Sequence, residues 1–158
     1  MFYQMITNAR NRWLRSNQCT VKDLITYIES ASQMRDAQID AIKTYLFLKI
    51  ACDCKSLSKL FQEGCFNTLD LQSVELMGST KAYLEEHPAA AALLEYATLK
   101  NDRGEQVSKK LEEQIRKAPE SIDYRRFFHD AFYGVYYTDY LFSLPMGAGK
   151  TYLIAAFI

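Results

Sequence analysis

"LPMGAGKTYLIAAFI" (residues 144–158) joins a glycine-rich loop to an apolar segment, and the residues around it decide the fold prediction. The preceding run "VYYTDYLFSLP" (residues 135–145) is aromatic and β-branched and has no helical stripe. This pattern predicts an extended chain that enters a strand at "DYLFSLP" (residues 139–145). The apolar segment "KTYLIAAFI" (residues 150–158) predicts a helix. We therefore expect a strand–loop–helix unit here.

Upstream of this unit, glycine and proline divide the chain into segments with helical patterns. The predicted helices are residues 2–15, 21–30 capped by Thr20, 34–52, 57–63 between Ser56 and Gly64, 80–87 capped by Ser79, 89–100 with Pro88 in the first turn, 105–118, and 124–135 capped by Ser121 or Asp123. The fold class is therefore mainly α: a bundle-like helical module, followed by the first strand–loop–helix unit of an α/β domain.

Composition bounds the class of protein. The 158 residues contain 49% hydrophobic and 13% aromatic side chains, which is enough for a real core and argues against disorder. Nineteen basic and nineteen acidic side chains cancel, so no overall field indicates a polyanionic partner. The spacing of Cys52 and Cys54 does not fit a zinc site, and reduced thiols suggest a reducing compartment. No segment resembles a signal peptide or a membrane span, and we expect a soluble, cytoplasmic protein.

The glycine-rich loop has the parts of a site for a nucleoside triphosphate. Glycines permit positive φ angles and let the backbone approach a phosphate closely. Backbone N–H groups at a helix N-terminus attract the phosphate oxygens. Lys150 would reach the β- and γ-phosphates, and the Thr151 hydroxyl would coordinate Mg²⁺. The candidate phosphate-binding residues are Gly147, Ala148, Gly149, Lys150 and Thr151.

The same loop carries a resemblance to a known family. "LPMGAGKT" (residues 144–151) resembles motif I of superfamily-two helicases and translocases, which commonly reads Pro-Thr-Gly-x-Gly-Lys-Thr. Met146 stands where that motif has threonine. Leu144 stands where the general Gly-x-x-x-x-Gly-Lys-Thr pattern has its first glycine.

A second stretch, "MRDAQIDAI" (residues 34–42), resembles the glutamine motif of the same helicases, Arg-x-Tyr-Gln-x-x-Ala-Ile. Arg35, Gln38, Ala41 and Ile42 match it, and Ala37 stands where the aromatic residue is usual. A glutamine amide both donates and accepts, so Gln38 could pair with N6 and N7 of adenine and select ATP. Arg35 could stack on the base or steady the glutamine.

The resemblance implies the N-terminal part of an ATP-dependent DNA helicase or translocase with a RecA-like ATPase domain. The nearest subgroup is that of bacterial DEAD/DEAH-box proteins and restriction-enzyme helicase subunits. It divides the chain into residues 1–51 with the glutamine motif, an inserted helical module at 52–134, and the start of the ATPase domain at 135–158. ATP and Mg²⁺ are the implied cofactors, Lys150 the catalytic residue, and nucleic acid the partner. Because the acidic box of this family follows motif I, we expect these residues to be catalytically incomplete.

Other functions stay open at this point. The helical region could be a protein- or nucleic-acid-binding module with a non-catalytic loop, or the chain could be a P-loop protein outside the helicases. Its apolar C-terminal helix could also mediate self-association. Basic and aromatic residues at Arg10, Arg12, Trp13 and Arg15, and again at 124–128, could contact nucleic acid. The alternative that we favour is that Trp13 is a core anchor and that Phe127 and Phe128 belong to the core.

Overall fold

The computed structural model describes residues 1–135, 140–144 and 147–157. The α-helices of these residues are α1 (Phe2–Arg15), α2 (Lys22–Ala31), α3 (Asp36–Leu46), α4 (Leu57–Gln62), α5 (Gly78–Glu86), α6 (Pro88–Thr98), α7 (Lys109–Lys117), α8 (Tyr124–Ala131) and α9 (Lys150–Ala156). A π-helical turn, Phe47–Ala51, continues α3, and a 3-10 turn, Pro119–Ser121, precedes α8. The prediction of a mainly α protein is confirmed.

Three helices begin where the sequence predicts a helix start. The Ser56 hydroxyl accepts the backbone N–H of Lys59 and starts α4. Asp123, one of the two caps considered for α8, accepts the backbone N–H of Arg126 at 2.9 Å. Pro88 occupies the first turn of α6, where its missing N–H would have had no helical partner. These starts depend on residues only a few positions apart, which is why the sequence predicts them.

Two other predicted caps are wrong by one or two residues. Val21, not Thr20, accepts the first backbone hydrogen bond of α2, and it makes no side-chain cap. Met77 accepts the first bond of α5, so this helix begins before the predicted cap Ser79. In both helices the backbone ladder forms without a side-chain oxygen at its first N–H groups.

The helix predicted at residues 105–118 begins only at Lys109. The turn at residues 101–104 folds the chain back, and the Val107 N–H donates to the Leu99 carbonyl at 2.9 Å. The residues before Lys109 therefore bond to the end of α6, and Ser108 caps the helix that follows.

The strand predicted at residues 139–145 is absent from the part of the chain that the structure describes. Residues 140–144 carry no strand assignment, and the flanking positions 139 and 145 lie outside the described residues. A strand exists only by pairing its backbone with another strand, and none of the described residues forms one. The apolar pattern has another use, because Phe142 and Leu144 pack against buried residues of α3 and α9.

The chain forms two compact units, each made of two separate stretches. The first unit contains Met1–Ala9 and Lys55–Tyr137, and the second contains Arg10–Cys54 and Thr138–Ile158. Both stretches that resemble helicase motifs therefore belong to the second unit. The three-part division of the chain at residues 51 and 134 stays a prediction.

An aromatic cluster forms the core of the first unit. Phe61 is fully buried, and its ring centroid lies 4.7 Å from that of Phe66 and 5.5 Å from that of Phe128. Phe2 reaches the same ring at 5.0 Å, which ties the start of α1 to α4. Aromatic side chains bury large areas and interact further through their ring geometry. The expectation that Phe128 belongs to the core is confirmed.

A buried carboxylate fixes the irregular segment between α4 and α5. Glu95 of α6 accepts the backbone N–H groups of Thr68 and Leu69 at 2.7 and 3.0 Å, and it also accepts the Thr68 hydroxyl. Because three donors satisfy it, this carboxylate can remain buried without a cationic partner.

Helix α3 is the centre of the second unit. Ala41 and Ile42 of α3 are buried with Leu153 of α9, and partly buried side chains of Met34 and Phe157 pack around them. One face of the apolar helix α9 therefore packs on α3.

Arg10 joins α1 to α3 and is not available to a ligand. Its side chain is 4% exposed, pairs with the Asp40 carboxylate at 2.6 Å and donates to the Thr44 hydroxyl at 2.7 Å. Trp13 is buried one turn later and packs on Phe47. The proposed nucleic-acid contact at Arg10 is therefore wrong, and Trp13 is a core anchor.

No helix in the described ranges has the length and apolar character needed to cross a membrane. All four cysteines carry free thiols, and two of them, Cys19 and Cys52, are buried.

The aromatic cluster predicts a large and local stability effect. We expect Phe61→Ala to lower the free energy of unfolding by about 3–5 kcal/mol, because it leaves a cavity among rings that cannot close around it. Urea unfolding followed by circular dichroism measures this change. Tyr133→Ala is the matched control, since Tyr133 is 93% exposed and should change stability by about 0.5 kcal/mol or less. Equal effects of the two substitutions would contradict the assignment of this core.

Candidate functional site

The glycine loop turns sharply into α9. Gly147 and Gly149 have φ angles of 76° and 71°, in the left-handed region that favours glycine. Ala148 between them is buried, and Gly149 is the residue before the first turn of α9. The predicted loop also includes residues 145 and 146, which lie outside the described residues. The prediction of a glycine loop leading into a helix is thus met at residues 147–156.

Two side chains at the start of α3 hold the backbone of this loop. The Gln38 Nε2 donates to the Gly149 carbonyl oxygen at 2.8 Å, and the two residues are 111 positions apart in the chain. The Arg35 guanidinium donates to the Gly147 carbonyl oxygen. The structure therefore brings together the two stretches that resemble the glutamine motif and motif I.

The local sequence explains why both side chains reach the loop. Arg35 is extended, with φ −79° and ψ 155°, and immediately precedes the first turn of α3. Gln38 lies in that first turn, and its Oε1 accepts the Arg35 backbone N–H at 2.8 Å. One glutamine amide thus closes the start of α3 with its oxygen and holds the glycine loop with its nitrogen.

These contacts orient the peptide planes of the loop. In a planar trans peptide the N–H points opposite to the C=O of the same plane. Because the carbonyls of Gly147 and Gly149 point toward α3, the N–H groups of Ala148 and Lys150 point away from it. The two hydrogen bonds therefore fix the direction of both N–H groups, and the binding of a phosphate by them stays a prediction.

The two glycines serve different purposes. A Cβ at Gly149 would lie 2.8 Å from Gln38 Nε2, so any other residue there would displace the Gln38 side chain from the loop. A Cβ at Gly147 would meet nothing within 4 Å among the described residues, so only the left-handed φ angle favours glycine there. Lys150 and Thr151 follow on the first turn of α9, and both are exposed. Their role in binding the phosphate chain of a nucleotide stays a prediction.

The Gln38 side chain is not available to adenine in this structure. It is 3% exposed, and both ends of its amide are already engaged within the chain. In this conformation Gln38 is a positioning residue for the loop, and contact with adenine would require it to move. Arg35 likewise donates to the loop backbone. The adenine role of these residues stays a prediction.

The described part of the chain offers no further cluster of ligands for the predicted Mg²⁺ ion. No group of three or more His, Cys, Asp or Glu side chains there could hold a metal ion. The role of the Thr151 hydroxyl as a Mg²⁺ ligand stays a prediction.

Sequence reasoning missed the anchoring contacts themselves. It assigned Gln38 to a base and Arg35 to a base or to the glutamine, whereas both donate to backbone carbonyls of the loop. A signal was available, because glycine at position 149 is the residue that a close approach of another side chain requires.

The anchoring predicts that alanine is tolerated less well at position 149 than at 147. Both Gly149→Ala and Gly147→Ala force a left-handed alanine, at about 1–2 kcal/mol. Only Gly149→Ala also displaces Gln38, and we expect it to destabilise α9 by about 0.5–1.5 kcal/mol more, the value of one hydrogen bond. Amide hydrogen exchange at Leu153, whose N–H bonds to the Gly149 carbonyl at 3.2 Å, measures the opening of α9.

A Gln38→Ala background supplies the control for this comparison. It removes the clash and the hydrogen bond together, so the difference between the two alanine variants should disappear. If the same difference persisted without Gln38, the anchoring contact would not be its cause.

The functional interpretation of this site depends on its geometry and on the two motif resemblances. No protein-family model, curated protein or solved structure matches this chain.

Proposed function

We propose that this chain binds the phosphate chain of ATP with residues 147–151 and acts in an ATP-dependent nucleic-acid helicase or translocase. One observation carries the proposal. Arg35 and Gln38, which resemble the glutamine motif, donate to the carbonyls of the loop that resembles motif I. The two stretches are 111 residues apart at that contact, and an accidental pair of short motifs would have no reason to meet.

Each residue of the loop has a role in this proposal. The N–H groups of Ala148 and Lys150 donate to phosphate oxygens on the side of the loop away from α3. The Lys150 ammonium lies on the first turn of α9, exposed, and binds the β- and γ-phosphates. Thr151 is the candidate ligand of Mg²⁺. Bound Mg²⁺-ATP would supply the phosphoanhydride whose hydrolysis drives movement along nucleic acid in such enzymes.

A second function has one observation in its favour. The carbonyls of Gly147 and Gly149 are satisfied by α3 within the chain, so the turn holds its shape without a ligand. The loop could therefore be a structural turn in a helical binding module. Nucleotide binding separates the two functions directly.

The phosphate role of Lys150 predicts a loss of nucleotide affinity in Lys150→Ala. A hydrogen bond to a charged group is worth about 1.5–3 kcal/mol, so we expect affinity for a fluorescent ATP analogue with Mg²⁺ to fall about 10- to 100-fold. Titration followed by fluorescence anisotropy measures it. Lys49→Ala is the matched control, since Lys49 is another exposed lysine of the second unit and should have no effect. Absence of binding by the unmodified chain at millimolar nucleotide would favour the structural turn.

The role of Gln38 is decided by a separate comparison of ATP with GTP. If Gln38 only positions the loop, Gln38→Ala should weaken the binding of both nucleotides by the same factor. A preference for ATP that disappears in Gln38→Ala would show that the side chain moves to read adenine. Both affinities come from the same anisotropy titration, with Gln62→Ala as a glutamine control in the first unit.

A further inference from the structure

A polar cleft lies between α4 and α8 of the first unit. Its volume is about 580 Å³, and every described residue that lines it is polar or charged. Lys59, Arg125, Arg126 and His129 contribute the basic side chains. The nucleotide loop belongs to the second unit and takes no part in this cleft.

The sequence builds the cleft from two helix faces of identical spacing. Helix α4 contributes positions 58, 59 and 62, and α8 contributes 125, 126 and 129. Positions that are three and four apart share one side of a helix, so position 62 lies beside 58 and 59, and position 129 lies beside 125 and 126. The opposite sides of the two helices are buried in the aromatic core through Phe61 and Phe128. Packing of the apolar sides therefore brings the two polar sides next to each other.

The charges of the cleft favour an anion. Lys59, Arg125 and Arg126 are exposed cations, whereas Asp123 is the one carboxylate among the described lining residues. That carboxylate already accepts the Arg126 backbone N–H as the cap of α8. The Arg125 guanidinium makes no hydrogen bond or ion pair within the described part of the chain, so it is available to a ligand.

Acidic residues next to the cleft hold its cations only weakly. Lys59 lies 3.9 Å from Glu63, and Arg126 lies 3.6 Å from Asp130, in pairs whose side chains are largely exposed. Exposed pairs of this kind add little stability. A phosphate accepts two parallel hydrogen bonds from one guanidinium, and it can therefore replace these acids as the partner.

The hydroxyl groups at the base of the cleft are also placed to donate. Ser56 accepts the Lys59 backbone N–H, and the Ser58 hydroxyl accepts the Gln62 side chain at 3.0 Å. Each oxygen thus already has a donor, and its own O–H proton can point to a ligand. A cleft whose side chains are almost all donors suits a ligand that only accepts, such as a phosphate.

We propose that this cleft binds the phosphodiester backbone of a nucleic-acid strand. None of its described lining residues is aromatic or apolar, so it offers neither a base-stacking platform nor the hydrophobic centre of a protein interface. Its volume is larger than a single ion needs. Backbone contacts of this kind position a strand without reading its sequence. The choice of a nucleic-acid strand rests on the proposed function.

The test is the salt dependence of strand binding by the whole chain. A fluorescein-labelled oligothymidine of about 20 nucleotides is titrated without ATP at several KCl concentrations. Each phosphate that a single strand pairs with a protein cation contributes about −0.7 to the slope of log K against log[KCl]. We therefore expect Arg125→Ala/Arg126→Ala, which removes two such cations, to make this slope less negative by about 1.4. Affinity at low salt should fall about tenfold or more.

Matched controls separate this effect from general charge loss and from misfolding. Lys109→Ala/Lys110→Ala removes two exposed cations from the first turn of α7, as the arginine variant does from α8, and should leave the slope unchanged. Arg125→Lys/Arg126→Lys keeps the charge and should restore most of the slope. Circular dichroism spectra that match the unmodified chain confirm folding.

Three results would overturn the proposal. The first is no strand binding at the lowest salt. The second is an equal change of slope in Arg125→Ala/Arg126→Ala and in Lys109→Ala/Lys110→Ala. The third is displacement of the strand by about 10 mM inorganic phosphate at constant ionic strength. The last result would assign the cleft to a small phosphate ligand. Lys150→Ala distinguishes the two proposals, because it should lower nucleotide affinity about 10- to 100-fold and leave the salt slope of strand binding unchanged.

Discussion

The shape of the glycine loop depends on two hydrogen bonds from the start of α3. Left-handed glycines permit many conformations, and nothing in residues 147–149 alone selects one. The Gln38 amide and the Arg35 guanidinium select it by fixing the carbonyls at both ends of the turn. Everything else in the candidate site follows from this: the direction of the N–H groups, the position of Lys150 and the start of α9.

The same helix also provides the apolar surface on which α9 lies. Ala41 and Ile42 come one turn after Gln38, and they are buried against Leu153. Anchoring of the loop and packing of the helix therefore use neighbouring turns of α3, and neither can shift without the other. This coupling gives a physical reason for the joint presence of glutamine, alanine and isoleucine in one short stretch.

The sequence predicts those features of the fold that depend on nearby residues. The caps of α4 and α8 and the proline in α6 are predictable because each involves side chains within one turn. The strand prediction is wrong because pairing depends on a partner elsewhere in the chain. The prediction for Arg10 is wrong for a similar reason, since its partners, Asp40 and Thr44, lie on another helix. For the candidate site, the loop residues are predictable, whereas the anchoring hydrogen bonds join residues about 111 positions apart and are signalled only by the glycine at position 149.

The division of the chain has a consequence for the order of folding. The backbone leaves the second unit at Cys54 and re-enters it at Thr138, so the loop meets α3 only after a long excursion. Closing a flexible segment of that length costs entropy, and contacts between distant residues slow folding. The first unit, Met1–Ala9 with Lys55–Tyr137, has its own aromatic core, and its early collapse would remove most of that flexible length in advance. If that unit collapses first, the glycine loop attaches to α3 late in folding, and any ligand of the loop would stabilise the fully folded chain over the form in which α9 is still detached.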